Sequence, residues 1–410
     1  MPSAGLRRRD VLRALMAAGI GGGAGLAGGL AVAGATRSDE PEIAVDESAD
    51  AGPAAPPPVH GPHQAGIDVP ATPQPHGAVA VVDLVGLAGA GASADPGYAT
   101  LLRRLCAELG RTITSLTSGH PVNGVGLPDG PGDLTVTIGL GPRLVAALDP
   151  GLPGADDLPL FAGDDAIPPG RVGGDILLAA YGSDPNAIGT SLRVLTRQLP
   201  GASTRWTQRC FRAPGNGTVT RNPLGFHDGV IVPHGADALA GNVWIPDGPM
   251  AGGSICVVRR LRLDTAAFDA HPVHRQEEII GRRRGDGAPL SGGGPSDEAD
   301  LLAKTPDGHY VTPARSHVRA AHPSFTGSHL MLRRGYAFDD GVVDDAADVQ
   351  VADAGLLFTC FQRDLRTFVQ TQHRLDEVDD LMRFVTCTAS GTFLILPGFD
   401  DDRPLGADLP

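Results

Sequence analysis

Residues 252–263 read GGSICVVRRLRL, two glycines and a serine followed by an unbroken run of apolar and arginine side chains. A short run of this kind, opened by glycine and rich in β-branched residues, suits a strand. The segments downstream of this strand supply an alternation of strands and helices. Residues 265–284 are largely helical in pattern, GLLFTCFQ (355–362) is a second buried strand, and residues 375–385 return to helical spacing. GTFLILPG (391–398) closes the set. The same order is written earlier in the chain. GAVAVVDLVGL (77–87) is a strand, and residues 99–109 form a helix with apolar positions three and four apart. DLTVTIGLG (133–141) is a strand, and PRLVAALD (142–149) opens a helix with Pro142 in its first turn. DILLAAYG (175–182) is another strand, followed by a helix over 185–198. Two β-α-β sets with antiparallel-looking strands predict an α+β protein of two ferredoxin-like domains, at residues 76–235 and 236–410.

The chain begins in a different style. Arg7, Arg8 and Arg9 precede Asp10-Val11-Leu12-Arg13, and a mildly hydrophobic Ala/Gly/Leu stretch runs over residues 14–35. Ala31-Val32-Ala33 and Ala33-Gly34-Ala35 offer small residues for cleavage. This pattern predicts a twin-arginine signal peptide over residues 1–35 and export to the periplasm or beyond, with no stable membrane span after cleavage. That route carries folded proteins, so a cofactor can be loaded before export. Residues 36–75 are acidic, then rich in proline and alanine, with too few large apolar side chains to fold alone. They read as a disordered spacer whose end, GPHQAGI (61–67), begins to touch the body.

Composition narrows the partners. The net charge is −14 and Lys304 is the one lysine, which argues against nucleic acid and for a freely soluble body. Five cysteines lie far apart with no CxxC and no CxxCH, so covalent c-type haem attachment is excluded by pattern. Cys256 and Cys360 fall inside apolar strand-like runs and read as buried thiols.

Chemistry concentrates in two stretches. NPLGFHDG (222–229) carries Asp228. SHVRAAHPSFTGSHLMLRRGYAF (316–338) carries His317, Arg319 two positions on, and the pair Arg333 and Arg334. An imidazole and a guanidinium held apart suit a haem iron that reacts with peroxide. The imidazole binds the metal from one side, and the arginine stabilises negative oxygen on the other. GFHDG fits the G-x-x-D-G motif of the dye-decolourising peroxidases, and the chain resembles that family in further blocks that keep the family's order. These are GGSICVVRRLRL, IIGRRRGDGAPL (279–290), SHVRAAHP, LRRGYAF and GLLFTCFQRD (355–364), with a weaker match at GPHQAGI.

The resemblance implies a duplicated ferredoxin-like arrangement with one non-covalent haem b per chain, held mainly by the second half. It implies a peroxidase that uses hydrogen peroxide to oxidise bulky phenolic or dye-like electron donors. His317 would be the proximal iron ligand, with His322 and His329 as neighbours, and Asp379 or Asp380 would accept its other N–H. Asp228 would be the distal acid/base and Arg333 the distal arginine. Gly229 would allow close approach to the porphyrin edge. Arg334 would be structural or pair with a propionate, and Leu357 and Phe358 would line the distal pocket. His227 stands where the family often has lysine, and is expected to point away from Asp228. A carboxylate in place of an imidazole predicts an acidic optimum, about pH 3.5 to 5. Two tryptophans and four tyrosines are candidates to relay electrons from large donors. A deferrochelatase-like role in iron uptake and a haem-delivery role are the alternatives, and a homo-oligomer is compatible with the sequence.

Overall fold

Residues 56–85, 96–215, 219–344 and 350–410 are described in the computed structural model; the expected signal peptide and the spacer up to residue 55 lie outside the described residues. The first half runs β1 (His76–Leu84), α1 (Pro96–Thr117), β2 (Thr135–Leu140), α2 (Pro142–Leu148), β3 (Ile176–Gly182), α3 (Pro185–Gln198) and β4 (Ala202–Phe211). A hairpin of β5 (Thr220–Arg221) and β6 (His227–Asp228), then α4 (Gly235–Asn242), leads into the second half. That half runs β7 (Ser254–Leu263), α5 (Thr265–Asp269), α6 (Val273–Ile280), α7 (His317–Ala320), α8 (Pro323–Thr326), β8 (Leu332–Arg333) and β9 (Tyr336–Asp344). It ends with β10 (Gln350–Gln362), α9 (Leu365–Val378) and β11 (Val385–Ile395).

Neighbouring strands lie in the order β4-β1-β3-β2 in the first half and β11-β7-β10-β9 in the second, all antiparallel. Each half therefore has the ferredoxin-like arrangement, written twice. The last strand of each half meets the second strand of the other. β11 pairs with β2 at Leu394↔Leu140 and Ile395↔Gly139, and β4 pairs with β9 at Phe211↔Ala337. These two seams close the pairing into a ring, with β8 added beside β10. The connection between the two halves runs through α4.

Burial explains why the strands read as continuous apolar runs. In β1, Val79 and Val81 face a core inside the ring, while Ala78, Ala80 and Val82 face a second core beneath the helices. A strand buried on both sides has no polar positions to alternate with. The inner core draws Trp206, Cys256, Phe338, Leu357 and Phe393 from both halves. Local signals end the helices where expected. Asp184 caps α3 by accepting from the Asn186 N–H at 2.8 Å, with Pro185 in the first turn. The helical run expected over 265–284 is split into α5 and α6, with Pro272 at the N-cap of α6, where its missing N–H costs nothing. All five cysteines are free thiols, and Cys256 and Cys360 are fully buried. Among the described residues no helix is long and apolar enough to cross a membrane.

The spacer reading needs correction for residues 56–75, which belong to the body. Gln64, 1% exposed, donates to the carbonyls of Ile138 on β2 and Leu396 just beyond β11, and accepts from the Ile138 N–H at 2.8 Å. It thus fills the seam where the two halves meet. Thr137 Oγ1 donates to the Ala65 carbonyl, and Ile67 is buried in the inner core. A segment poor in apolar residues is fixed here by satisfying buried main-chain groups, a contribution that composition does not register.

Candidate active site

His317 is the first residue of the one-turn α7, and its Nδ1 lies 2.7 Å from Asp379 Oδ2. Asp379 sits where α9 stops, so the break in the expected 375–385 helix is what turns this carboxylate inward. Its other oxygen accepts from the Leu381 N–H at 2.9 Å, and its side chain is fully buried. A carboxylate can only accept, so Nδ1 carries the proton and Nε2 is left as a lone-pair nitrogen. Burial pulls the His317 pKa down, but the charge and hydrogen bond of Asp379, with Asp228 beyond, outweigh it and raise the value. The second acidic candidate is occupied elsewhere: Asp380 pairs with Arg275 at 2.8 Å and Arg315 at 2.6 Å. Both ring nitrogens of His322 are engaged as well, one by Glu298 Oε1 and the other by the Ser324 N–H. His329 is exposed at the cavity edge.

Asp228 comes from the β5–β6 hairpin, where it pairs with Thr220. Asn222 shapes the turn, its side chain accepting from the Leu224 and Phe226 N–H groups at 3.1 Å. Gly229 has φ +79°, a left-handed conformation open to glycine at little cost, and its N–H reaches Asp228 Oδ1 at 2.6 Å. Arg333 stands 3.6 Å from the same oxygen and donates to the Ile231 carbonyl at 3.1 Å. Burial raises the Asp228 pKa, but Arg333, the Gly229 N–H, His317 and Arg212 together bring it below the ordinary carboxylate value.

His317, Asp228, Gly229 and Arg333 all line one cavity of about 240 Å³. Most of its wall is apolar, including Leu261, Leu263, Met331, Leu356, Phe358 and Phe368. One expectation fails here, and another resolves, since Arg334 takes the structural one of its two expected roles. Leu357 faces the inner core of the ring, because successive strand residues point to opposite faces, so Leu356 and Phe358 are the wall residues. Arg334 does not line the cavity. It is buried and donates to the carbonyls of Ile67 and Pro70 and to Gln74 Oε1, so its role is to anchor the N-terminal segment. His227 also lines the cavity, but its charged neighbours are Arg221, Arg282 and Asp286 rather than Asp228. Its Nδ1 is packed so closely on Gly287 that a Cβ there would sit 2.0 Å from it. Burial, then Arg221 and Arg282, hold the His227 pKa below the usual histidine value.

Arg282 lies in the IIGRRRGDGAPL block, where nothing in the sequence singles it out from its two arginine neighbours. It is buried at the cavity wall and donates to the carbonyls of Gly287, Pro295 and Asp297. Among the described residues no carboxylate makes an ion pair with it, whereas Arg259 on the same wall is paired with Asp164. Arg212, beside Asp228 on a smaller cavity, has no sequence signal at all, since FRAPG reads as a plain turn.

The donor set fits a haem. One imidazole offers a lone pair to a metal, a carboxylate and a guanidinium face the same apolar space, and Arg282 adds a positive charge suited to an acidic edge. The family model described as Dyp-type peroxidase, C-terminal, matches residues 219–400. A dye-decolorizing peroxidase of Thermobifida fusca is 35% identical over 297 residues, 68% of this chain and 68% of that protein. A deferrochelatase of Yersinia pestis bv. Antiqua is 34% identical over 292 residues, 66% of this chain and 65% of that one. Among solved structures, an oxyferrous complex of DtpA from Streptomyces lividans is 33% identical with a TM-score of 0.75, covering 86% of this chain and 96% of DtpA. A DypB variant from Rhodococcus jostii, solved in complex with haem, is 18% identical with a TM-score of 0.57 over 79% of this chain and 93% of its own, which shows the shared fold. Fold and site together define a haem-dependent peroxidase. The chain belongs to the dye-decolourising peroxidase family, whose members bind haem and use hydrogen peroxide with an electron donor.

Proposed function

We propose that this protein is an exported peroxidase holding one non-covalent haem b per chain, which oxidises bulky phenolic or dye-like donors. The observation that carries the site assignment is His317, fixed by Asp379, lining one cavity with the Asp228–Arg333 pair. Haem, when bound, supplies the iron at which the peroxide O–O bond is broken. His317 Nε2 is the nitrogen that holds it. Asp228, ionised, takes a proton from one oxygen of hydrogen peroxide and returns it to the departing oxygen. The Arg333 guanidinium offsets the negative charge that builds on that oxygen. Leu356 and Phe358 keep bulk water from the reacting atoms. Arg282 takes the propionate-pairing role that Arg334, committed elsewhere, leaves open. With a domain boundary after residue 235, the haem belongs mainly to the second domain and Asp228 is lent by the end of the first.

Five of the six tryptophans and tyrosines are buried, whereas Tyr310 is 40% exposed and stacks 4.1 Å from the Arg319 guanidinium, two residues from His317. Tyr310 is the point of electron entry for donors too large for the cavity. The reading is tested on purified holoprotein. Peroxide should change the Soret band, and a dye should then be oxidised for many cycles per haem. Tyr310→Phe should slow large dyes and spare small phenols. Stoichiometric release of iron with metal-free porphyrin left behind would favour the deferrochelatase role. Transfer of haem to an acceptor without turnover would favour delivery.

Export rests on Arg8 and Arg9 ahead of the Ala/Gly-rich stretch. Replacing both with lysine should leave folded, haem-loaded protein in the cytoplasm. Unchanged export of the double variant, followed by cell fractionation, would remove the assignment.

A further inference from the structure

Asp228 borders two cavities. With Gly229 and Arg333 it lines both the large apolar one and a second of about 10 Å³, whose remaining walls are Arg212, Thr220 and Gly335. The two carboxylate oxygens are not equivalent. Oδ1 accepts from the Gly229 N–H at 2.6 Å and lies 3.6 Å from Arg333 Nη2. Oδ2 lies on the Gly335 side, where a Cβ built on that glycine would meet it at 3.5 Å. A space of this size holds about one water molecule, and such a water needs two to four polar partners. The walls provide them. Besides Oδ2 there is the Arg212 guanidinium, held at the rim by a long contact of 3.5 Å to the Gly335 carbonyl. The Thr220 hydroxyl gives its proton to the Ala213 carbonyl at 2.9 Å, so it can offer a water only a lone pair.

We propose that Arg212 is a positioning residue for Asp228: one water in the small cavity links its guanidinium to Oδ2, orients the carboxylate, and gives it a second positive neighbour. This rests on the reading of Asp228 as the proton carrier. Arg333 on β8 holds one oxygen, and Arg212, just past β4, governs the other from the opposite side. The remaining charged neighbours are consistent with that division. His317 on α7 acts on Asp228 from across the large cavity, while His227 next to it answers to Arg221, Arg282 and Asp286. Beyond Arg212 lie Tyr336 and Arg334. Burial pushes the Arg212 pKa down, and Tyr336 and Asp228 work to keep its charge.

The test uses the holoenzyme with Arg212→Gln, Arg212→Lys and Gly335→Ala. Gly335 has no left-handed φ, and an added Cβ would stand 3.5 Å from Asp228 Oδ2 and 3.3 Å from Leu356 Cδ1, so alanine crowds the water's place at Oδ2 without changing any charge. Two readouts are followed against pH: the stopped-flow rate of reaction with peroxide, and the infrared carboxyl band of protonated Asp228, identified by its loss in Asp228→Asn. Arg212→Gln should move the acid limb of the rate and the infrared midpoint upward together by about one pH unit, as expected for losing a nearby opposite charge. Gly335→Ala should move both in the same direction by less, and Arg212→Lys should restore most of the wild-type profile. An infrared midpoint in Arg212→Gln equal to wild type overturns the proposal whatever the rate does. If the midpoint moves but the rate does not track it, the assignment of Asp228 as proton carrier fails and the link between Arg212 and the carboxylate stands.

Discussion

His317→Ala should yield a folded protein that retains little haem through gel filtration, with the residual pigment showing an altered Soret band. The reason is the scarcity of free nitrogen donors on the cavity. His322 has both ring nitrogens committed to Glu298 and the Ser324 N–H, and His227 has Nδ1 pressed against Gly287. On this cavity only His317 has a carboxylate orienting one ring nitrogen and a lone pair left open on the other. Asp379→Ala should act through the same nitrogen, loosening the ring and weakening haem affinity about 10- to 100-fold. The pH dependence has a definite sign. The ligand nitrogen must be unprotonated, and Asp379 raises the His317 pKa in the haem-free protein. Haem uptake by the apoprotein should therefore weaken as pH falls through that raised value, and the proton alone stabilises the apoprotein at low pH. In Asp379→Ala the acid weakening should begin at lower pH while affinity at neutral pH drops. Haem content by pyridine haemochrome assay checks both. A His317→Ala protein that keeps its haem while His329→Ala loses it would reverse the assignment.

The fold is legible in the sequence where strands are buried on two faces. β1, β3 and β7 read as apolar runs because no face of them meets water. β4 and most of β9 escape notice because they do meet it. ASTRWTQRCF in β4 buries Trp206, Gln208 and Cys210 and turns threonines and arginines outward, a pattern half polar by construction. Without these two strands the ferredoxin order cannot be completed, so topology comes from the family resemblance rather than from periodicity. The site divides along a similar line. His317, Asp228 and Arg333 sit in short motifs, and the cavity gathers all three. Leu357 is off by one residue because a strand buried on both faces gives no clue as to which side is which. Arg334 takes the structural one of its two expected roles and Arg282 goes unmarked, since an arginine in a sequence does not reveal whether its partners are carbonyls or a bound anion. Arg212 carries no signal, because FRAPG reads as a plain turn and only the β5–β6 hairpin that follows brings Asp228 back beside it.

Asp228→Asn should leave haem content unchanged and slow the reaction with peroxide by about 10²- to 10⁴-fold, the usual worth of a positioned proton carrier. Asparagine keeps the shape and can still accept from the Gly229 N–H, but it cannot take a proton from peroxide. The pH profile reflects the balance of forces on the carboxyl. Burial alone would raise its pKa, and a buried carboxyl left to itself would work nearer neutrality. Here Arg333, the Gly229 N–H, His317 and Arg212 outweigh burial, so the group stays ionised below the ordinary aspartate value of about 3.9. The acid limb of the wild-type rate should therefore lie below about pH 4, and Asp228→Asn should abolish it. A depressed carboxyl also stabilises the fold above its unfolded pKa, and that share is lost as pH falls through the folded value. On the alkaline side the limit is the second half of the proton's journey. An acid this strong is scarce in its protonated form at neutral pH and returns the proton to the departing oxygen less readily, which places the optimum in the acid range. Arg333→Leu separates the two contributions. Removing the largest opposing charge leaves burial free to push the carboxyl up, so the acid limb should move to higher pH while the maximal rate falls for want of charge stabilisation. Stopped-flow rates from pH 3 to 8 decide it, and a wild-type maximum at neutral pH with an unaltered limb in Arg333→Leu would hand the proton to another group, His227 first.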